Sequence, residues 1–369
     1  MTRRSYLARL LAFAGAPLLT PRLVWSQSRS SLAPVRIEER LIKRIDVGLR
    51  PFRPSGFVVR RESLGEKHVI HNYGHGGAGV TLSWGTARLA ADLATQLEPS
   101  RVAVLGCGAV GLATGNLMLQ RNRRVTIYTE KRPPHTTSNI AAAQWAPYSL
   151  LDTPGDRFRE QLLQAARHSW DSYQERLGDS YGIRMLDNYV LGNTPPSFPW
   201  EVETVKHLFP ELEDFPEFEN PFGTRYARRF KSMQIDTSVY LKRMLREFRE
   251  RGGRIRRRSF SSLRQVDRLA EDVVINCMGL GTRKVFQDPE LMPIKGQLTV
   301  LKAQPQVDYV VISNGLYMMP RAREIVLGGT FERGVETLEP SPTETERIWS
   351  GHRDFFSRMS GSTQGQQFF

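Results

Sequence analysis

Two stretches run clustered glycines into helical patterns, "HNYGHGGAGVTLSWGTARLAADLATQL" from His71 to Leu97 and "RVAVLGCGAVGLATGNLMLQ" from Arg101 to Gln120. Glycine lets a backbone N–H approach an anion where a Cβ would intervene, and a helix N-terminus adds partial positive charge. Either stretch can therefore cradle a phosphate or a flavin. In the second, Gly106-x-Gly108-x-x-Gly111 follows a strand pattern at Arg101–Leu105 and opens a helix through Ala109 and Val110. The strand pattern "RRVTIYTE" comes next and ends on Glu130, 19 residues after Gly111. Two parallel strands and one crossover helix consume about that much chain, which leaves the acid where a dinucleotide presents its ribose hydroxyls. The glycine pattern by itself is weak, whereas strand, helix, strand and terminal acid together are specific. A third feature is "GLRPFRP", in which Pro51 and Pro54 stiffen a turn around Arg50 and Arg53, and a rigid loop can aim a guanidinium.

The elements that must position these residues follow from periodicity. Residues 81–97 read as a helix with a small-residue face (Ala87, Ala90, Ala91, Ala94), stopped by Pro99, and the linker "EPS" delivers the chain into the strand at Arg101. Asp236 caps a helix whose apolar face is Tyr240, Leu241, Met244, Leu245 and Phe248, ended by Gly252 and Gly253. "DVVINCMG" reads as a buried parallel strand that runs into glycine. "RGGRIRRRSF" reads as a solvated edge strand. Runs such as "GQLTVLKA" and "EIVLGGTF" within 294–331, after an aromatic- and proline-rich stretch at 181–230, suggest a second, mostly antiparallel domain. Ser341-Pro342-Thr343-Glu344 starts a last helix, to about Met359, and 360–369 read as a disordered tail.

Composition bounds the function. With 369 residues, 40% hydrophobic and 24% charged, the chain has ordinary globular make-up and the length of about two domains. The net charge of +14 comes from scattered basic residues without an aromatic-interleaved platform, which argues against a nucleic-acid partner. The two cysteines, Cys107 and Cys277, each sit in an apolar strand pattern that ends at glycine, so they form neither a disulfide framework nor a zinc pattern. His71 and His75 lack an HExxH partner, so no metal site is expected. At the start, Thr2-Arg3-Arg4-Ser5-Tyr6-Leu7 precedes an uncharged run, Leu10 to Thr20, too short to span a bilayer. Residues 1–28 resemble a twin-arginine export signal and imply a periplasmic or exported protein; a cytoplasmic protein with a basic arm is the alternative.

The pieces "VLGCGAVGL", "TTSNIAAAQWAPY", "VINCMGL", "KGQL", "YMMPRAREIVLGGTF", "GLRPFRP" and "VIHNYGHGGAGVTLSWG" resemble the FAD-dependent D-amino-acid oxidases and D-aspartate oxidases, and together they cover most of residues 36–358. In that family the last two pieces lie at the C-terminal end, so this chain looks circularly permuted, joined through residues 98–100 and opened between Met359 and Arg36. The resemblance implies an α/β fold, a Rossmann-like FAD-binding domain (56–150 and 232–285) interleaved with a mostly antiparallel α+β substrate domain (35–55, 151–231 and 286–359). It implies that Gly106, Gly108, Ala109, Val110 and Gly111 receive the FAD pyrophosphate. Glu130, with Lys131 beside it, takes the ribose, and Thr136, Thr137 and Ser138 lie near phosphate and ribitol. Ala142, Ala143 and Trp145 belong to the turn beside the flavin, and Gly76, Gly77, Gly79, Val80 and Thr81 cradle its ring. Arg50 would hold the substrate carboxylate, Tyr317 would bond it as well, and the Gly77 carbonyl would accept from the amine. Hydride transfer from Cα to the flavin, followed by hydrolysis, would give a 2-oxo acid and ammonia, with oxygen reduced to hydrogen peroxide.

Departures from the family pattern sharpen the expectations. "ISNGLYMMP" is too short for the family's longer loop over the substrate and lacks its second tyrosine, so the lid is expected to be missing. Ala143 replaces a glycine, and Ala146 a glutamine, in the "AAGLWQPY" turn of mammalian-type members. No second basic residue near the pocket supports D-aspartate preference. Two other readings stay open: an FAD enzyme that acts on glycine-like or N-methylated amines or hands electrons to a quinone, and a catalytically silent FAD-fold protein that binds anionic surfaces. Self-association into a homo-oligomer is compatible with all three.

Overall fold

The computed structural model describes residues 32–215 and 222–362, which from Ala33 onward belong to one unit. The expected export segment, residues 1–28, lies outside them. Strand β1 (Ile42–Phe52) is followed by the hairpin of β2 (Val58–Leu64) and β3 (Lys67–Tyr73), then by α1 (Ser83–Thr95). Next, β4 (Arg101–Leu105), α2 (Ala109–Gln120) and β5 (Arg124–Thr129) form a βαβ unit. The short α3 (Thr137–Ile140) precedes α4 (Asp156–Gln174), β6 (Ile183–Gly192), α5 (Trp200–Val205), β7 (Glu213–Phe215) and β8 (Tyr226–Ile235). Then come α6 (Thr237–Glu250), β9 (Arg254–Arg257), α7 (Leu263–Asp267), β10 (Val273–Asn276) and α8 (Gly281–Phe286). The chain ends in β11 (Met292–Lys302), β12 (Tyr309–Ser313), β13 (Leu316–Arg321), β14 (Glu324–Gly328), β15 (Glu332–Arg333) and α9 (Pro342–Ser362).

These strands form two sheets. One has the order β2-β3-β10-β4-β5-β9, with every strand from β3 to β9 parallel. The other has the order β1-β11-β14-β13-β12-β6-β8-β7, with β15 on β11; only β12 and β6 run parallel in it. In the parallel sheet the chain leaves β4 for β5 on one side, while β10 lies on the other. Ligands of open α/β sheets bind at such a switch point, beyond the carboxyl ends of the strands.

Helix α1 buries Ala87, Ala90, Ala91 and Ala94 completely, and at Gly85 the backbone of α4 comes so close that any Cβ would overlap the Ala165 carbonyl. Asp236 caps α6 through Oδ1, which accepts from the Ser238 N–H at 3.0 Å. The arginine-rich β9 is an edge strand, as its composition suggests. Between β12 and β13 the turn is only Asn314-Gly315, with φ of 49° and 74°, the left-handed pair that a two-residue hairpin needs. No chain is left there for a lid.

Three expectations are corrected. "GLRPFRP" is not wholly a turn, because β11 supplies a ladder partner as far as Phe52, and Pro51 stands opposite Pro293 so that two residues without an N–H share one place in it. The helix expected from Thr81 begins at Ser83, with Leu82 as its N-cap. Residues 360–362, expected in a disordered tail, continue α9.

Candidate active site

The end of β4 meets the end of β10 at the switch point. Gly106 takes φ of +103°, and a Cβ there would overlap the Cys277 carbonyl, while a Cβ on Gly111 would overlap the Gly106 carbonyl. Both must be glycine for the turn to close this tightly. Gly108 is the N-cap of α2, and the Ala109 N–H donates to Ser138 Oγ at 3.0 Å. A hydroxyl oxygen thus marks where an anionic oxygen would be received at a helix N-terminus. Val110 sits in the same first turn, Glu130 and Lys131 are exposed just past β5, and Thr136 caps α3 with Thr137 exposed beside it. These residues fit FAD: glycines that admit a pyrophosphate, helix N–H donors facing it, and a carboxylate at the end of β5 for the ribose.

The second half of the site is one face of the nine-stranded sheet. In register, Arg50, Gly48, Ile294, Gly296, Leu298, Gly328, Tyr317, Val310 and Leu186 share that face. Arg50 extends over Gly296, where a methyl group would overlap its guanidinium, and Nη1 donates to the Thr330 carbonyl at 2.9 Å. The Tyr317 ring lies over Gly328 in the same manner. Segment 140–144 straps the face: Ile140 packs on Gly48, Ala142 packs on the Leu186–Val310–Met319 cluster that Tyr317 also covers, and Gln144 bridges to Gln234 of β8. At the end of β1 that carries Arg50, Phe52 bridges to His75, and the Gly77 N–H donates to the Ser149 carbonyl at 3.0 Å. The exposed Gly77 and the half-buried Arg50 are therefore carried to one rim, by the glycine turn and by β1.

Geometry separates the two arginines of "GLRPFRP". Arg53 is consumed by Asp288 at 2.8 Å, Glu290 at 3.0 Å and the Gly56 carbonyl at 3.0 Å. Arg50 has no acidic partner among the described residues, and the Tyr317 hydroxyl has no hydrogen-bond partner there. Both remain free to meet a ligand. On the opposite side of β13, His352 of α9 places Nε2 3.1 Å from the Tyr317 carbonyl and so braces that strand from behind.

Other expected residues support rather than open the site. Val80 and Thr81 are buried, their carbonyls taken by Tyr173 at 2.7 Å and by Ser169, while Gly79 is half-buried. The Trp145 ring lies in the core 4.7 Å from Trp170, while the residue's backbone N–H donates to the Met233 carbonyl and its backbone carbonyl accepts from the Ser232 hydroxyl. Ala143 takes φ of +62°, a glycine conformation held by an alanine. Residues missed by sequence reading are Gly296, Gly328, Thr330 and Ser149; an isolated glycine inside a strand pattern was the available signal for the first two.

Nothing in the glycine turns titrates near neutrality. Burial pushes both Cys107 and Cys277 thiols up to about 12, and burial pulls His75 down to about 3, so these groups stay neutral. Among the described residues no group of histidine, cysteine and carboxylate side chains could hold a metal, and no helix is long and apolar enough to cross a membrane. The arrangement sets an arginine–tyrosine face beside a crevice of cofactor-binding type.

Comparison with known proteins places the chain among FAD enzymes. A D-amino-acid oxidase of Rubrobacter xylanophilus is 32% identical over 256 residues, 68% of this chain and 75% of that protein. The human D-aspartate oxidase is 26% identical over 268 residues, 69% of this chain and 75% of its own. The fold is shared with a glycine oxidase from Geobacillus kaustophilus, with a TM-score of 0.52 at 16% identity, covering 71% of this chain and 80% of that one. The family described as FAD dependent oxidoreductase matches residues 25–93 and 101–365, thereby including both glycine turns and the sheet that faces them. This chain belongs to the FAD dependent oxidoreductase family.

Proposed function

We propose that this protein oxidises D-amino acids to 2-oxo acids and ammonia. The observation that carries the reading is the pair formed by Arg50 and Tyr317: on one sheet face, beside the flavin-type crevice, the guanidinium has no acidic partner among the described residues and spends one donor on the Thr330 carbonyl, and the phenol hydroxyl has no hydrogen-bond partner there. A planar guanidinium gives a carboxylate two parallel charge-assisted bonds, and the phenol hydroxyl adds a third donor, so the amino acid is held by its carboxylate. The Gly77 carbonyl accepts from the amine and fixes which face of Cα is presented. FAD, when bound, supplies the two-electron acceptor for the hydride that leaves Cα. The chain needs no nucleophile; its work is to orient and to exclude water. The names of the two curated relatives support a D-amino acid as substrate. The test is anaerobic: yellow holoenzyme should bleach with a D-amino acid and not with its L-enantiomer. Bleaching by glycine or sarcosine alone would replace this reading with the N-methylated or glycine-like one.

The circular permutation is proposed on the same footing. Two features support it: the family matches in two stretches separated at 94–100, and the ends of the described unit are linked by a short chain of contacts. The Tyr309 hydroxyl donates to the Ala33 carbonyl at 2.7 Å, and the Phe222 ring stands 5.9 Å from both Tyr309 and Phe355 of α9. A reordered chain that begins at Arg101, runs to Met359 and continues through a short linker into Ser31–Glu98 should fold and bind FAD. Soluble reordered protein without FAD would overturn it. Export through residues 1–28 is likewise a proposal, tested by the compartment in which FAD-loaded protein accumulates when Arg3 and Arg4 are both replaced by lysine.

A further inference from the structure

Along the sheet face from Tyr317, three side-chain amides meet. Gln144 and Gln234 form an isolated antiparallel bridge. It is flanked by Ile235 N–H to the Ala143 carbonyl at 3.0 Å and Trp145 N–H to the Met233 carbonyl at 2.7 Å. That is the non-hydrogen-bonded kind of pair, whose Cα atoms stand about 4.5 Å apart and whose side chains leave on the same side.

The orientation of each amide is settled by its partners. Asn188 Nδ2 donates to the Leu186 carbonyl at 2.8 Å, so its Oδ1 accepts, and Gln144 Nε2 donates to it at 2.6 Å. Gln234 Nε2 donates to the Ala142 carbonyl at 2.7 Å. Flipping either glutamine would set oxygen against oxygen. What remains is Oε1 of Gln144 and Oε1 of Gln234, on residues only 5% and 2% exposed, with no hydrogen-bond partner among the described residues. Native structures seldom leave buried acceptors unpaired, because each forgoes the hydrogen bonds it had in water.

Their place says what the donor is for. Asn188 stands opposite Val310 in the β6–β12 ladder, and Val310 clusters with Leu186, Met319, Ala142 and Tyr317. The amides thus continue the face that starts at the Arg50 guanidinium, beyond an apolar stretch. We propose that the two oxygens form the far end of the substrate side-chain subsite and select a side chain that ends in an N–H donor, an amide or an ammonium group. Carboxylate-ended side chains are disfavoured, since their oxygens would meet two carbonyl oxygens. The inference rests on Arg50 and Tyr317 as the carboxylate anchor.

The experiment uses holoenzyme and three ligands of equal size that cannot be oxidised at an amine: succinamate, succinate and 4-methylpentanoate. Binding is read from the change in flavin absorbance, and turnover is read with the corresponding D-asparagine, D-aspartate and D-leucine. Succinamate should bind at least about tenfold tighter than the other two, and D-asparagine should lead in kcat/KM. Gln144→Leu and Gln234→Leu should each erase the preference while FAD affinity stays constant. Equal binding of the three ligands, with D-leucine still bleaching the flavin, would overturn the inference and leave the proposed function standing. A loss of FAD affinity with the preference intact would assign the oxygens to the cofactor and overturn it too. Failure of all three D-amino acids to bleach the flavin would overturn the underlying reading and this inference with it. Should one variant not fold, the ligand comparison in the unaltered enzyme and the other variant decide.

Discussion

The Arg50 guanidinium donates to the Thr330 carbonyl at 2.9 Å although a whole strand, β11, lies between their backbones. It reaches across because the residue it passes over is Gly296. The cation is thereby laid over the sheet with one donor anchored and the other donors without an acidic partner among the described residues, the preorganisation that the proposed carboxylate clamp requires.

Replacing Arg50 with leucine should remove the clamp and keep the fold. Loss of one partner of a desolvated charge pair costs about 3–5 kcal/mol, so kcat/KM should fall by roughly a hundred- to several-thousand-fold. FAD content, read by absorbance, should not change. Undiminished kcat/KM would remove Arg50 from the site.

Gly296→Ala tests whether the floor positions the arginine. The added methyl would displace the end of a flexible side chain, not backbone, so the protein should fold with nearly unaltered melting temperature. KM should rise by about tenfold or more, since a guanidinium that is shifted makes poorer bidentate bonds. In an Arg50→Leu background the same change should have no further effect, and a double-mutant cycle measures this.

Tyr317→Phe should be milder than the loss of Arg50. One hydroxyl bond to a charged group contributes about 1.5–3 kcal/mol, which corresponds to roughly ten- to a hundred-and-fifty-fold in kcat/KM. If this variant instead lost its flavin, the residue would belong to cofactor packing.

Ala143→Gly should stabilise the protein. At φ of +62° an alanine pays for its Cβ about 1–2 kcal/mol, against the 0.4–1 kcal/mol that glycine loses through a freer unfolded chain. A net gain of about 0.5–1 kcal/mol should appear as a higher urea midpoint at constant slope. A lower midpoint would contradict the strain.

Acid should weaken the fold from near neutrality downward. Burial lowers His75 to about 3 and also lowers His71 and His352, so the folded state keeps these rings neutral while the unfolded chain protonates them near pH 6.5. Their contribution is complete above that value and is lost progressively as the pH falls from about 6.5 toward 3. In urea titrations across this window the His75→Gln variant should show a flatter dependence than the unaltered protein; an identical slope would mean His75 is not held neutral.

Much of this molecule is written locally. The helix cap at Asp236, the strand of Val273–Asn276 and the turn at Gly106, Gly108 and Gly111 each depend on residues a few places apart, so periodicity and glycine spacing suffice to read them. Arg50 and Arg53 have nearly the same neighbours in sequence, and nothing local distinguishes a ligand anchor from a structural ion pair. What distinguishes them is distant: Asp288 and Glu290 lie 235 and 237 positions from Arg53, and Thr330 lies 280 from Arg50. The same holds for "GLRPFRP" itself, a strand only because β11 comes to pair with it, and for the amides of Gln144 and Gln234, unremarkable polar residues until the sheet sets them side by side. Local chemistry chose the elements and the cofactor; which side chains are left free to bind was decided by partners that meet only when the chain is folded.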